Sequence, residues 1–299
     1  MPPPLIDYGI ADWVRLRPLL HRLKTARYRA TDRSFRRRPA RAGDVAHLRD
    51  QIAGRRVLIT IAFNDAQTIS WQASLVRRYV ADVIYVVADN SADEAAASEI
   101  AALTARSRIP YVRLPQNLAS SPSRSHGLAL NWVWENVVKR GEPEVFGFID
   151  DDIYPTKPDD PFAALSEQSF YGVVRPPAPG FANGWFLWAG FCMFNFARVK
   201  PLGLDFSQDW FCGLDTGGAN WHRLYSRFER FSLREQGTRF VPIREGLRME
   251  EAPLQWCGPW LHTVGLMGDP KYAHEKAAVV SNIIGPLLRE AELADRRHS

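Results

Sequence analysis

Residues Phe146 to Pro155 read FGFIDDDIYP, an apolar stretch of strand character that ends in three adjacent carboxylates, Asp150, Asp151 and Asp152. Neighbouring carboxylates repel one another, and their approach to a sheet edge is unfavourable unless a divalent cation, Lys and Arg, or water sits among them. Polar groups recur at the ends of three other strand-like segments. Asn64 and Asp65 follow RRVLITIAF (55–63), Asp89, Asn90 and Ser91 close VIYVVAD (83–89), and Gln116 and Asn117 follow IPYVRLP (109–115). Together these groups have the chemistry of a nucleotide site. Asp65, Asp89 and Asp150 can accept the N–H and hydroxyl groups of base and ribose. Asp152 with Mg2+ or Mn2+ suits a diphosphate, since these ions take oxygen ligands and leave positions open. Each end taken singly also has a plainer explanation as a helix N-cap, and Asp65 and Ser91 are read equally well that way.

The elements that must hold these residues alternate. After the first segment a helical pattern carries Ile69, Ala73, Val76 and Val80 on one face, and Ser91 with Glu94 forms a capping-box pattern for an Ala-rich helix to Arg106. A helix from Ser123 to Arg140 is expected to stop at Gly141, before EVFGFID (144–150). Continuous apolar strands separated by helices predict an α/β fold with a parallel sheet covered on both faces, whose ligands bind beyond the carboxyl ends of the strands. Beyond Asp152 prolines break the alternation. Short strands (YGVVRP, FLWAGFCMFNF, TRFVPI), a brief helix near Asn220 to Arg227 and an amphipathic helix from Tyr272 to Glu292 complete the pattern.

With 299 residues, 46% hydrophobic and 24% charged, the chain can bury a sizeable core. Its three cysteines, Cys192, Cys212 and Cys257, are widely spaced, which argues against a disulfide framework or a structural zinc site. The longest apolar run is too short and interrupted for a membrane span and no signal-peptide pattern opens the chain, so a cytoplasmic protein is expected. Charge is concentrated at one end. Residues 1–56 hold 14 Lys and Arg against 5 Asp and Glu, within 38 and 33 for the whole chain. This arm carries Val14, Leu16, Leu19, Leu20 and Leu23 ahead of a nearly pure basic stretch. It is read either as a solvated arm packing one short helix on the body or as a peripheral contact with anionic membrane or an acidic partner. No helix-turn-helix, RNP or zinc-finger pattern accompanies it, so nucleic acid is not among the expected partners.

No G-x-G-x-x-G or Walker A loop follows a strand, which sets aside nicotinamide and P-loop chemistry. A phosphoaspartate hydrolase also uses D-x-D, but normally at the end of its first strand. The ordered set ITIAFND, VVADNSAD, NLASSPSRSHGLALNW, FGFIDDDI, AGFCMFNFARVKPLGLDF and GLDTGGANWHRL resembles the GT-A glycosyltransferases, particularly family 2, over Val57 to His262. The charge pattern sets off a basic, partly helical arm (1–54), and the resemblance implies a GT-A domain (55–299). The domain would comprise a nucleotide-binding half (55–152) and a smaller acceptor half with the C-terminal helix (153–299). It also implies a hexosyltransferase-type reaction, inverting and metal-dependent, between a UDP- or GDP-linked sugar and a saccharide or lipid-linked hydroxyl acceptor. Asn64, Asp65, Asp89, Asn90, Ser91, Arg124 and Asp150 would then bind the donor, Asp152 and His262 the Mn2+ or Mg2+, and Asp215 would be the general base. Asp151 would touch neither donor nor metal. The chain departs from the family at Leu214, where a Glu is usual, and at Arg124-Ser125-His126-Gly127, where the family has Arg-Asn-x-Gly. Asp209 is therefore a rival base, and His222 and His274 are rivals of His262. A sugar nucleotidyltransferase of related fold and a catalytically silent binding protein are the alternative functions. Against the former, Phe63 to Thr68 lacks a Gly-rich, basic loop for a triphosphate.

Overall fold

A computed structural model describes residues 2–3, 5–181, 184–265 and 271–298. Its strands are β1 (Arg56–Ala62), β2 (Ile84–Asp89), β3 (Tyr111–Arg113), β4 (Val145–Asp150), β5 (Ile153–Pro155), β6 (Phe170–Arg175), β7 (Phe186–Asn195), β8 (Thr238–Pro242), β9 (Pro253–Cys257) and β10 (Trp260–His262). A six-stranded sheet has the order β3-β2-β1-β4-β7-β6, and a four-stranded sheet the order β5-β10-β9-β8. The first four strands of the large sheet are parallel, and β7 and β6 extend it antiparallel. The small sheet is antiparallel throughout. This is the expected α/β arrangement, a mostly parallel half joined to a smaller one.

The apolar strands are covered on both faces, as parallel strands with crossovers require. Val57, Ile59 and Ile61 of β1 enter one core with Phe146 and Phe148 of β4, whereas Leu58 and Ala62 enter another with Val145 and Ile149. A third core lies between the small sheet and two helices. It joins Tyr154, Leu254 and Leu261 to Leu75 and Tyr79, and to Val280 and Ile284.

The helices are α1 (Ile10–Val14), α2 (Arg17–Arg37), α3 (Val45–Ile52), α4 (Ala66–Tyr79), α5 (Glu94–Arg106), α6 (Pro122–Val133), α7 (Lys139–Gly141), α8 (Phe196–Val199) and α9 (Ala273–His298). A π-helical turn, Trp134–Val138, joins α6 to α7. Four expectations change. The cap of α5 is Asp93, which accepts from the Ala96 N–H, because the Ser91 hydroxyl is engaged by the Asn64 N–H instead. The brief helix near Asn220 is two 3-10 turns, Gly218–Asn220 and Tyr225–Arg227. Strands β5, β9 and β10 were hidden in short segments around Pro and Gly. The N-terminal arm holds a 21-residue helix, α2, rather than one short helix. Beyond α2, Arg41 and Ala42 bond to Arg113, so the chain lies along the β3 edge.

Candidate active site

The carboxylate triplet stands where the chain leaves one sheet for the other. Asp150 is the last residue of β4 and Ile153 the first of β5. Gln72, fully buried in α4, clamps this crossing: its Nε2 donates to the Asp150 and Ile153 carbonyls at 2.8 and 2.6 Å, and its Oε1 accepts from the Tyr85 hydroxyl. β10 pairs with β5 so that His262 opposes Ile153, which carries the imidazole to Asp152.

His262 Nε2 lies 3.1 Å from Asp152 Oδ1, while Asp152 Oδ2 accepts from the Thr263 hydroxyl and the Gly265 N–H, each at 2.9 Å. Val264 takes a left-handed φ of 55° between them, an uncommon conformation for a β-branched residue. Its carbonyl is held by the Nζ of Lys276, a buried residue of α9. Asp150 Oδ1 is 3.7 Å from His126 Nδ1, and its carboxylate accepts no hydrogen bond among the described residues. Gly190 of β7 makes room for it, since a Cβ there would overlap both Asp150 Oδ2 and the Trp188 indole. Asp151 turns away, to the Phe63 N–H at 2.9 Å, and so ties the end of β1 to the turn.

Burial raises Asp150, with His126 and His262 opposing it, and raises Asp151 well above the usual range, with Asp152 and Asp150 adding to the effect. Burial would also raise Asp152, but His262, Gly265 and Thr263 together hold it well below the carboxylate range. Burial pulls the His262 imidazole down, and the Asp152 carboxylate outweighs that and raises it. Gln255 decides which His262 nitrogen faces the site. Its Oε1 accepts from Arg175 at 3.0 Å, so it must also accept from His262 Nδ1 at 3.1 Å, leaving Nε2 toward Asp152. Ligand atoms of Asp150, Asp152 and His262 all lie within 4.8 Å of one another.

A cavity of about 460 Å³ opens beside this cluster, within the usual size of a small-molecule site. Of the residues singled out by sequence, Asn90, Asn117, Asp150, Asp215 and also Asp151, expected to touch neither donor nor metal, line it, joined by His126 and Trp188. Asn90 belongs to an amide network that donates to the Ser125 hydroxyl and accepts from Asn117. Asp215 is exposed, with Oδ1 accepting from Gln208 at 2.7 Å. Its loop is pinned to α6, where Asn131 bonds to Asp205, Phe206 and Ser207, and Gly127 leaves space for the Phe206 carbonyl.

The other predicted residues stand elsewhere. Asp65 caps α4 by accepting from the Gln67 and Thr68 N–H groups. Asp89 is buried and accepts from the Ser91 N–H and the Tyr111 hydroxyl. Asn64 Oδ1 accepts from Ala92 and Asp93, binding the first two strand-end loops together. Arg124 faces the arm, 2.7 Å from Asp32 and 3.8 Å above the Tyr28 ring. Asp209 lines a separate cavity, of about 290 Å³, and pairs with His222 at 3.2 Å near Cys212.

Sequence reading missed Gln72, His126, Gln255 and Lys276. Only Gln255 left a signal: the Gly258-Pro259 turn sets a hairpin register that places it opposite His262.

No protein-family model matches the chain, and no curated protein sequence matches it. Among solved structures it is similar to a mannosyltransferase of Pyrobaculum calidifontis in complex with GDP-Man and Mn2+, at 13% identity and a TM-score of 0.37, over 64% of this chain and 56% of that one. It is also similar to TarS of S. aureus, at 14% identity and a TM-score of 0.34, over 51% of this chain and 30% of that one. For the apo bifunctional glycosyltransferase WbbM the values are 15% and 0.36, over 57% and 38%. The chain thus spans between about a third and somewhat over half the length of these structures.

Proposed function

We propose that the chain is a glycosyltransferase that moves a sugar, in a hexosyltransferase-type reaction, from a UDP- or GDP-linked donor to the hydroxyl of a saccharide or lipid-linked acceptor. The observation that carries this reading is the meeting of Asp150, Asp152 and His262 at the seam of the sheets, with Asp215 on the same cavity. Carboxylate oxygens and one imidazole of fixed tautomer are a suitable donor set for Mn2+ or Mg2+. Such an ion, when bound, neutralises a departing diphosphate. Asp150, whose carboxylate accepts no hydrogen bond among the described residues, is placed to accept from a ribose hydroxyl or to join the metal shell. Asn90 offers its amide to the donor, while Asn64, Asp65, Asp89 and Ser91 shape the rim without reaching the cavity.

Asp215 is the base in this reading. Its Oδ1 is oriented by Gln208, and its Oδ2 accepts no hydrogen bond among the described residues, which suits it to take a proton from an acceptor hydroxyl. With no second nucleophile beside it among the described residues, single displacement with inversion is the reading that follows. Asp209 is the weaker choice, being paired with His222 on a different cavity.

Calorimetric titration of UDP- and GDP-sugars with and without Mn2+ tests the reading. Asp152→Asn keeps acceptors for Thr263 and Gly265 and is expected to abolish the Mn2+-dependent part of donor binding. Asp215→Asn is expected to bind donor normally and to lose transfer by about 100-fold or more. Donor affinity indifferent to Mn2+ in both the native chain and Asp152→Asn would overturn the metal role, and full transfer by Asp215→Asn would move the base to Asp209. A native chain that binds donor yet releases no nucleoside diphosphate would be the silent binding protein.

A further inference from the structure

Helix α2 packs the wrong way round for a helix of a soluble body. At spacings of three and four residues it turns Pro18, His21, Thr25, Tyr28, Asp32 and Phe35 inward, buried or half-buried. At positions i, i+3, i+4 and i+7 on the opposite side it presents Leu16, Leu19, Leu20 and Leu23, each more than half exposed. An amphipathic helix normally buries its leucines. Here the polar stripe is fixed by specific contacts: His21 lies 5.1 Å from the Phe211 ring, Tyr28 meets Trp210 edge-on at 4.9 Å, and Asp32 pairs with Arg124. Rolling the helix to hide its leucines would break all three.

The apolar surface continues upstream through Ile6, Ile10 and Val14. Nine of the fifteen exposed large apolar side chains among the described residues fall between Leu5 and Leu23, so they are concentrated on this arm and not scattered over the surface. Around it Arg15, Arg22, Arg27 and Arg33 are exposed and form no ion pair among the described residues.

We propose that residues 5–33 dock on an anionic lipid bilayer, with the leucines in the headgroup–acyl boundary and the arginines on lipid phosphates. Helices of this kind lie in the interface plane, their apolar face inserted and their cations beside anionic headgroups. A second copy of the same face is a poor occupant, because it would bring like charges together around the leucines. The contacts with Trp210 and Phe211 belong to the loop that also carries Asp215, so docking holds that loop on the side of α2 away from the leucines, a helix diameter (~10 Å) from the inserted face. Docking holds whether or not Asp215 acts as a base.

Flotation of the full chain with phosphatidylcholine vesicles, with and without phosphatidylglycerol, tests this. Binding to the anionic vesicles is expected to be about tenfold or more the stronger, and to weaken as salt rises from about 0.05 to about 0.5 M. The triple variant Leu19→Glu, Leu20→Glu, Leu23→Glu is expected to lose binding while keeping native thermal unfolding, because each of these side chains is more than half exposed. Arg22→Glu with Arg33→Glu is expected to lose the anionic preference. Vesicle binding that ignores the leucine variant, equal binding to both vesicle types, or a native chain that dimerises in sedimentation velocity and becomes monomeric in the leucine variant would overturn the proposal.

Discussion

Asp65 and Asp89 end β1 and β2 much as Asp150 and Asp152 follow β4, and from sequence the four are the same kind of residue. In the structure they divide. Asp65 gives one oxygen, Oδ1, to the start of a helix, and Asp89 gives Oδ1 to a turn and Oδ2 to a tyrosine. Among the described residues Asp150 accepts no hydrogen bond on its carboxylate, while Asp152 gives Oδ2 to Thr263 and Gly265 and turns Oδ1 to an imidazole that a metal could share. Position at a strand end brings a carboxylate to the rim, and local N–H groups then decide whether anything remains for a ligand. In β1 and β2 the following helix and turn supply those N–H groups. After β4 the chain enters a new strand in the other sheet, where no helix start is available to absorb a carboxylate.

The division is tested most severely at Asp89. Asp89→Ala removes the acceptor of the Ser91 N–H and the Tyr111 hydroxyl inside a buried site, and each stranded donor is costly. We expect a loss of about 3–5 kcal/mol in denaturant unfolding. In contrast, Asp150→Ala should leave stability within about 1 kcal/mol, since its carboxylate satisfies no donor and burial already opposes its charge. Comparable losses in the two variants would erase the distinction between structural and available carboxylates.

Gln72 offers a sharper cut within the second group, because it touches only the backbone of the turn. Gln72→Leu preserves much of the volume but strands the Asp150 and Ile153 carbonyls and the Tyr85 hydroxyl. A loss of about 2 kcal/mol is expected. If the turn sets the separation of Asp150 and Asp152, Mn2+ affinity should fall by about tenfold as well. Stability lost with Mn2+ affinity intact would make Gln72 a packing residue alone.

The sequence made the large sheet legible, because each buried parallel strand is a continuous β-branched or aromatic run bounded by polar ends. The same feature made the four rims visible as a group. It could not separate them: Asp65 and Asp89 look like ligand residues until the N–H groups they serve are located. Arg124 illustrates a second limit. Its motif pointed to the donor, whereas Tyr28 and Asp32, nearly a hundred residues upstream, draw it to α2. Strands β5 and β10 are three residues each, too short for any periodicity, yet their pairing is what brings His262 to Asp152. The register of a three-residue strand is a tertiary fact.

The smallest expected effect is one of pH, and it separates the two halves of the Asp152–His262 pair. His262 is raised above its usual 6.5 on folding, so its contribution is fully present below 6.5 and disappears as pH rises through the raised value. Asp152 is lowered from its usual 3.8, so its contribution is present above 3.8 and disappears only as pH falls through the lowered value. The metal-free chain should therefore gain most from the pair between 3.8 and 6.5, and lose the His262 contribution on the alkaline side. Mn2+ reverses the slope. It needs the Nε2 lone pair that the proton occupies, so the rise in unfolding temperature on adding Mn2+ should grow over the same alkaline range. His262→Gln removes the titrating group and should flatten both trends. Slopes that persist in this variant would place the proton elsewhere and separate the histidine from the metal.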